Sequence, residues 1–289
     1  MKIGVVGMGR MGLGIAARLR NDGHTVVAYD QIDAVSDVAS LSVLVAALEP
    51  PRTVWSMLPA GDATENTITE LTPLLDADDI LVDGANGYYK DAMRRAETLH
   101  AAGIAMLDVG VSGGILGQEA GYCLMIGGPD QAVTRLQPIF TALAPQGGFA
   151  HVGPSGAGHY VKMIHNGIEY AALQAYAEGF DLLHASNFSI DLPAVAELWN
   201  HGSVIQSQLL ELTHRALAKD PDLASLRGYV DDSGEGRWTV IEALDREVPA
   251  STIAQSIFNR FASRQTDSFA MRLIAALRQE FGGHQVQDK

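Results

Sequence analysis

The sequence predicts an α/β fold, a doubly wound parallel sheet, followed by an all-α C-terminal domain. Three observations carry this expectation. Short apolar runs alternate with amphipathic stretches through the first half, a glycine-rich turn follows the first run, and beyond His151-Val-Gly-Pro154 the periodic segments are helical. A chain of 289 residues is long enough for about two domains, each with its own core.

The runs at 3–6, 25–29, 53–57, 80–82, 105–109 and 123–126 read as strands. Continuous apolar runs separated by helical patterns point to parallel strands covered on both faces. The helical spacing lies around 11–22, 62–75, 89–102 and 129–143, which gives repeated strand-helix units with right-handed crossovers. After residue 152 a long helical pattern covers 156–185. Further helices are expected near 193–200, 203–218, 236–246, 250–264 and 267–280, separated by Asp191-Leu-Pro, Lys219-Asp-Pro-Asp and Asp231-Asp-Ser-Gly. The expected domains are therefore 1–152 and 153–289, joined directly by the long helix. No internal repeat or low-complexity tract is evident.

Composition narrows the function classes. With 20 Lys plus Arg against 34 Asp plus Glu, the net charge of -14 repels nucleic-acid phosphates and anionic lipid surfaces, so neither is an expected partner. The lone Cys123 cannot form an internal disulfide, which fits a reducing cytoplasm, and its apolar neighbours read it as an inert core thiol. The N-terminus lacks a signal peptide's apolar stretch and no run is long enough to span a membrane, so the expected location is the cytoplasm.

Gly7-Met8-Gly9-Arg10-Met11-Gly12 follows the first strand and opens the first helix. Glycines there permit a tight turn and close approach of backbone N–H groups to a pyrophosphate, the Rossmann-type dinucleotide fingerprint. Asp30 ends the second strand, 18 residues after Gly12, where a carboxylate accepts from ribose hydroxyls and repels a 2′-phosphate. No Arg or Lys follows in Gln31-Ile-Asp33-Ala-Val, so the expected cofactor is NAD, with NADP disfavoured. The bland alternatives are a glycine turn and a turn aspartate.

In the long helix, Lys162, His165, Asn166 and Glu169 sit at i, i+3, i+4 and i+7 and share one stripe, with Tyr170 at its margin. Val161, Ile164, Ile168, Ala171 and Ala175 form the opposite, apolar stripe. Spacing alone favours a solvated polar face. Placement beside a nucleotide domain, where ligands collect, favours function. An alcohol that gives up hydride must also lose its O–H proton, so the site needs a base. A lysine serves if burial lowers its pKa, making Lys162 the candidate base and Glu169, about 10 Å along the axis, a second acid.

These residues resemble the short bacterial form of the 6-phosphogluconate dehydrogenases, within the β-hydroxyacid dehydrogenase superfamily. Further matching motifs are Met57-Leu58-Pro59-Ala60-Gly61, Asp83-Gly-Ala-Asn86, Val111-Ser112-Gly113-Gly114, Gly121-Tyr-Cys-Leu-Met-Ile-Gly-Gly128, Ser233-Gly-Glu-Gly-Arg-Trp-Thr239, Arg260 and Arg278-Gln-Glu-Phe-Gly-Gly-His284. The run His165-Asn-Gly-Ile-Glu-Tyr170 is far more specific than a glycine motif. The resemblance implies oxidative decarboxylation of 6-phospho-D-gluconate to ribulose 5-phosphate and CO2 without a metal. Lys162 takes the C3 hydroxyl proton, and Glu169 protonates C1 of the enediol. It further implies that Asn86, Ser112, Gly113, Gly114, His165 and Asn166 hold the sugar acid, and that Tyr170, Arg260 and Arg278 contact its phosphate, with His284 nearby. Leu58, Pro59, Ala60 and Asn86 join the glycine turn as cofactor contacts. The tail is implied to complete a neighbouring subunit's site in a homodimer or homotetramer.

The chain departs from that pattern at Ser233, where longer members carry a phosphate-binding lysine, so phosphate must lean on Arg260, Arg278 and Arg237. Gly87 replaces a usual serine and Ala85 a usual glycine. Two other readings stay open: a dehydrogenase of a small unphosphorylated 3-hydroxy acid such as 3-hydroxyisobutyrate, and a non-catalytic NAD-sensing protein.

Overall fold

The computed structural model describes residues 1–287. Its strands are β1 (Lys2–Val6), β2 (Thr25–Tyr29), β3 (Thr53–Ser56), β4 (Ile80–Asp83), β5 (Ala105–Ser112), β6 (Cys123–Gly127) and β7 (Phe149–Gly153). They form one sheet in the order β2-β1-β3-β4-β5-β6-β7. Between them run α1 (Arg10–Asn21), α2 (Leu41–Ala46), α3 (Asp62–Leu71), α4 (Tyr89–Ala101), α5 (Gly117–Ala120) and α6 (Asp130–Leu143).

Alternate residues of the strands point to opposite faces and divide the core in two. Val5, Trp55, Val82 and Leu107 pack with Ile15 and Leu19 of α1 and with Leu136, Ile139 and Phe140 of α6. Their neighbours Val6, Val54, Leu81 and Met106 pack with Leu44 of α2, Ile68 and Leu71 of α3, and Leu99 of α4. This two-sided burial is why the strands read as unbroken apolar runs.

Three sequence expectations are corrected here. β6 runs antiparallel to β5, with Ser112 paired to Cys123. Only residues 113–122 join the two strands, and a parallel return needs a crossover of about a dozen residues or more. β7 and α2 were not expected from the pattern; β7 has the burial pattern ieeei and so lacks an apolar run. Cys123 is exposed rather than core, because it is the first residue of β6, whose buried pattern begins only at Leu124.

The rest of the chain is helical: α7 (Ala157–His184), α8 (Leu192–Trp199), α9 (Gln208–Lys219), α10 (Glu235–Asp245), α11 (Ser251–Ser263) and α12 (Phe269–Gly282). Asp191 caps α8 by accepting from the Ala194 N–H, and Ser207 caps α9 by accepting from Leu210, which starts α9 later than its periodicity predicts. The chain divides into two compact units, Met1–Asn166 and Gly167 onward, so the divide falls within α7. In the second unit Phe180, Leu192, Ala196, Leu210 and Leu217 form a buried cluster. Among the described residues, no helix is long and apolar enough to cross a membrane.

Candidate active site

In the first unit, the loops that follow β1, β3, β4 and β5 leave from the carboxyl ends of mutually parallel strands. β1 lies between β2 and β3, the point where the chain switches direction across the sheet and where ligands of such folds bind. The turn after β1 is built by glycine. Gly7 has φ +90 and donates its N–H to the Tyr29 carbonyl at 2.9 Å. A Cβ on Gly12 would lie 1.9 Å from the Gly7 carbonyl oxygen, so only glycine lets α1 start this close to the strand. α1 has no acidic residue in its first turn and no side-chain cap, which leaves its N–H groups to face an anion. Asp30 stands beside this turn, accepting from the Met8 N–H at 2.6 Å and the Ile32 N–H at 3.0 Å. These features fit a dinucleotide: a pyrophosphate cradle that a side chain would fill, and a carboxylate held at its ribose edge. Met8 is buried, Arg10 exposed and Met11 half-buried, while Leu58 is half-buried and Pro59 and Ala60 are exposed on the loop after β3.

Further along the same edge, four of the expected substrate residues and the expected base form a connected chain. Asn166 donates to Asn86 at 3.2 Å, and its own Oδ1 lies 3.2 Å from His165 Nδ1. Lys162 Nζ lies 3.4 Å from that same Nδ1, and His165 Nε2 lies 3.2 Å from the Ser112 hydroxyl. His165 Nδ1 thus faces an amine on one side and a carbonyl on the other, and serves one at a time according to its protonation. Lys162 and Asn166 are only 8% and 6% exposed, whereas Val161 and Ile168 are 38% and 59% exposed. The polar stripe of α7 is the inward one, which removes the solvated-face reading. Gly113 and Gly114, with φ +123 and +55, continue the turn after Ser112.

In the second unit, Glu169 follows Lys162 by seven residues on α7 and is half-buried. Tyr170 is buried, with its hydroxyl 3.0 Å from Ser233 and donating to Glu235 at 3.1 Å. Ser233 in turn donates to Glu235 at 2.5 Å. Burial is the main cause that raises the Tyr170 hydroxyl above its ordinary pKa. The Arg260 guanidinium stacks 3.5 Å from the Tyr170 ring centroid and donates to the Asp231 carbonyl. Arg237 is engaged by Asp232 at 2.5 Å and does not join this cluster. Arg278 and His284 are exposed on and after α12, a helix with no buried residue among those described.

Several residues of these networks carry no periodic signal, and the sequence assigned them no role. Glu235 organises Tyr170 and Ser233 from a buried position. Asp83, fully buried, accepts from Ala85 N–H and from Arg95, and so shapes the loop that holds Asn86. Asp108 accepts two backbone N–H groups at the start of α7. Asp83 and Glu235 lie within the motifs quoted above, while the cue for Asp108 was a single carboxylate inside an otherwise apolar strand.

A family model described as the NAD binding domain of 6-phosphogluconate dehydrogenase matches residues 2–153, and one described as the C-terminal domain of that enzyme matches 158–289. Over its whole length the chain is 46% identical to an NAD(+)-dependent, decarboxylating 6-phosphogluconate dehydrogenase of Haloferax volcanii, covering 99% of that protein. It is 39% identical over 91% of its length to a decarboxylating 6-phosphogluconate dehydrogenase of Lactococcus lactis subsp. cremoris, but spans 61% of that longer chain. Among solved structures, 6-phosphogluconate dehydrogenase of Plasmodium falciparum superposes with a TM-score of 0.84 at 26% identity, covering 100% of this chain and 66% of that one. The 3-hydroxyisobutyrate dehydrogenase of Mycobacterium tuberculosis, at 21% identity, covers 96% of this chain and 99% of its own, with a TM-score of 0.71, which shows a shared fold. The chain belongs to the 6-phosphogluconate dehydrogenase family.

Proposed function

We propose that the protein oxidises and decarboxylates 6-phospho-D-gluconate to ribulose 5-phosphate and CO2, using NAD. The observation that carries this reading is the buried Lys162, held in a chain of polar side chains that reaches Asn86 and Ser112 after β4 and β5, strands parallel to the β1 that precedes the glycine turn. When bound at that turn, NAD supplies the hydride acceptor. Lys162 removes the C3 hydroxyl proton, a task that needs an uncharged amine, and burial is the physical effect that favours the uncharged form. The protonated lysine then stabilises charge on the C3 oxygen while the adjacent carboxylate leaves as CO2. Glu169 returns a proton to the carbon that has lost CO2, C2 of the substrate and C1 of the ribulose 5-phosphate product. Asn86, Ser112, Gly113, Gly114, His165 and Asn166 hold the hydroxyls and carboxylate, with Tyr170 and Arg260 at the phosphate.

The preference for NAD is supported by the Asp30 carboxylate at the ribose edge, by the absence of a cation at 31–35, and by the name of the Haloferax relative. We read α12 as an assembly element that carries Arg278 and His284 to a second copy's site. Phe269, Met271 and Phe281 on it are 71%, 60% and 78% exposed, more apolar surface than a lone helix keeps in water. We place the protein in the cytoplasm, consistent with a single unpaired cysteine.

Steady-state rates test the reading. Turnover with 6-phosphogluconate and NAD is expected to exceed that with NADP, and also that with 3-hydroxyisobutyrate. Faster turnover of the unphosphorylated acid would overturn the substrate assignment, and no NADH from any sugar acid would overturn the enzymatic one.

A further inference from the structure

The groups assigned to the acid's reacting end, Lys162, His165 and Asn166, all ride on the first turns of α7, so whatever fixes those turns fixes the base. A helix N-terminus leaves backbone N–H groups without intrahelical partners. In many helices the capping residue and the residue three further on satisfy one another's N–H groups. In α7 both of these groups go to one carboxylate from a distant strand. Asp108, in the middle of β5 and 1% exposed, accepts from the Gly156 N–H at 2.7 Å with Oδ1 and from the His159 N–H at 2.8 Å with Oδ2.

The fit around this clamp has no slack. A Cβ on Gly158 would lie 2.2 Å from the Asp108 carbonyl oxygen, and one on Gly110 would lie 2.4 Å from the Cβ of Lys162 itself. His159, also 1% exposed, places its Nε2 3.1 Å from the Asp83 carbonyl oxygen. That carbonyl accepts, so Nε2 carries the proton and donates. The Asp83 carboxylate accepts from the Ala85 N–H at 3.1 Å and from Arg95 at 3.0 Å. One joint therefore ties the start of α7 to β5, which ends at Ser112, and to the β4 loop, which carries Asn86.

We propose that Asp108 is a positioning residue for the reaction: it sets the height and register of α7 on the sheet and thereby the place of the Lys162 amine relative to Asn86 and Ser112. It acts only through the helix N-terminus. The proposal rests on the reading of Lys162 as the base.

The test uses the full-length chain and compares Asp108→Asn, Asp108→Ala and Lys162→Ala. Displacement of a reacting group by about 1 Å costs on the order of 10²-fold in rate. The expected result is a kcat about 10²-fold lower in Asp108→Ala and a smaller loss in Asp108→Asn, which keeps one acceptor oxygen. NAD affinity, read by fluorescence titration, is expected to stay within about twofold, because the cofactor turn is built on β1 and α1. The primary deuterium isotope effect on kcat with substrate deuterated at C3 is expected to rise as the chemical step becomes limiting. A merely structural role would leave that isotope effect unchanged and lower kcat only in proportion to the NAD-binding fraction, and this would overturn the proposal. If Asp108→Ala does not fold, Gly110→Ala presses on Lys162 with the clamp intact and is expected to give the same split; normal turnover there overturns the proposal. Inactive Lys162→Ala with fully active Asp108 variants refutes this proposal alone. Active Lys162→Ala refutes the base assignment and the proposal with it.

Discussion

Between Met1 and Asn166, helices cover both faces of the sheet, and the buried clusters run from Ile3 to Ala144 on one face and from Val6 to Met106 on the other. From Gly167 onward, a smaller buried cluster joins Phe180, Leu192, Ala196, Leu210 and Leu217, while Leu182, Leu244 and Phe281 are each more than 70% exposed. The second unit leaves larger apolar side chains exposed, and it also carries the cations assigned to the phosphate. The contrast sets a reaction centre proposed on the strands and the start of α7 against a phosphate end proposed on the more exposed helices.

The largest effect expected in the first unit comes from Lys162→Ala. Loss of a general base lowers kcat by about 10³- to 10⁴-fold, with NAD binding intact by titration. Near-normal turnover would remove the reaction centre from that unit. In the second unit, Leu277→Asp with Phe281→Asp puts two charges on side chains that are 52% and 78% exposed in one chain. If α12 is an assembly element, sedimentation is expected to show association weakened by about 10²-fold or more in concentration, while NAD still binds. An unchanged oligomer, or a wild type that is monomeric, would break the contrast.

Arg260→Ala separates binding from chemistry. Its loss is expected to raise KM for 6-phosphogluconate by about 10- to 10²-fold with a lesser change in kcat, as for one charged contact. Equal losses in kcat would move Arg260 into the reaction centre. Asp30→Ala is expected to lower the ratio of NAD to NADP kcat/KM by about tenfold, for the loss of one charged hydrogen-bonding group. The smallest effect concerns stability. Arg94 holds the Glu65 carboxyl down to about 2, with Arg95 assisting. A carboxyl depressed in the folded state contributes stability above its ordinary pKa of 4.5 and loses it as pH falls towards about 2. Because Glu65 is partly exposed, the term is screened, and Glu65→Gln is expected to flatten the acid limb of a Tm-against-pH curve by only a few degrees, about 1 kcal/mol or less.

What the sequence made legible follows periodicity. Six strands buried on both faces and the long helix announce themselves because burial imposes pattern, and the glycine turn because only glycine fits at Gly12. β7 escaped because its residues are largely exposed, and the antiparallel turn of β6 followed from a connection length rather than from any residue type. Cys123 misled because its neighbours are buried while it begins the strand. The stripe Lys162, His165, Asn166 was visible, but not which way it faced, since its apolar opposite stripe is the exposed one. Asp83, Asp108 and Glu235 received no role because a single buried carboxylate has no period; its meaning lies in backbone N–H groups and side chains far away in sequence.

In the proposed mechanism one buried amine serves both proton removal and the loss of the substrate's carboxylate. Carboxyl-labelled 6-phosphogluconate, incubated with the wild-type protein and NAD, tests it directly by counting labelled CO2 against NADH. One labelled CO2 for each NADH is the expected result. NADH formed without release of the label, or no NADH at all, would contradict it.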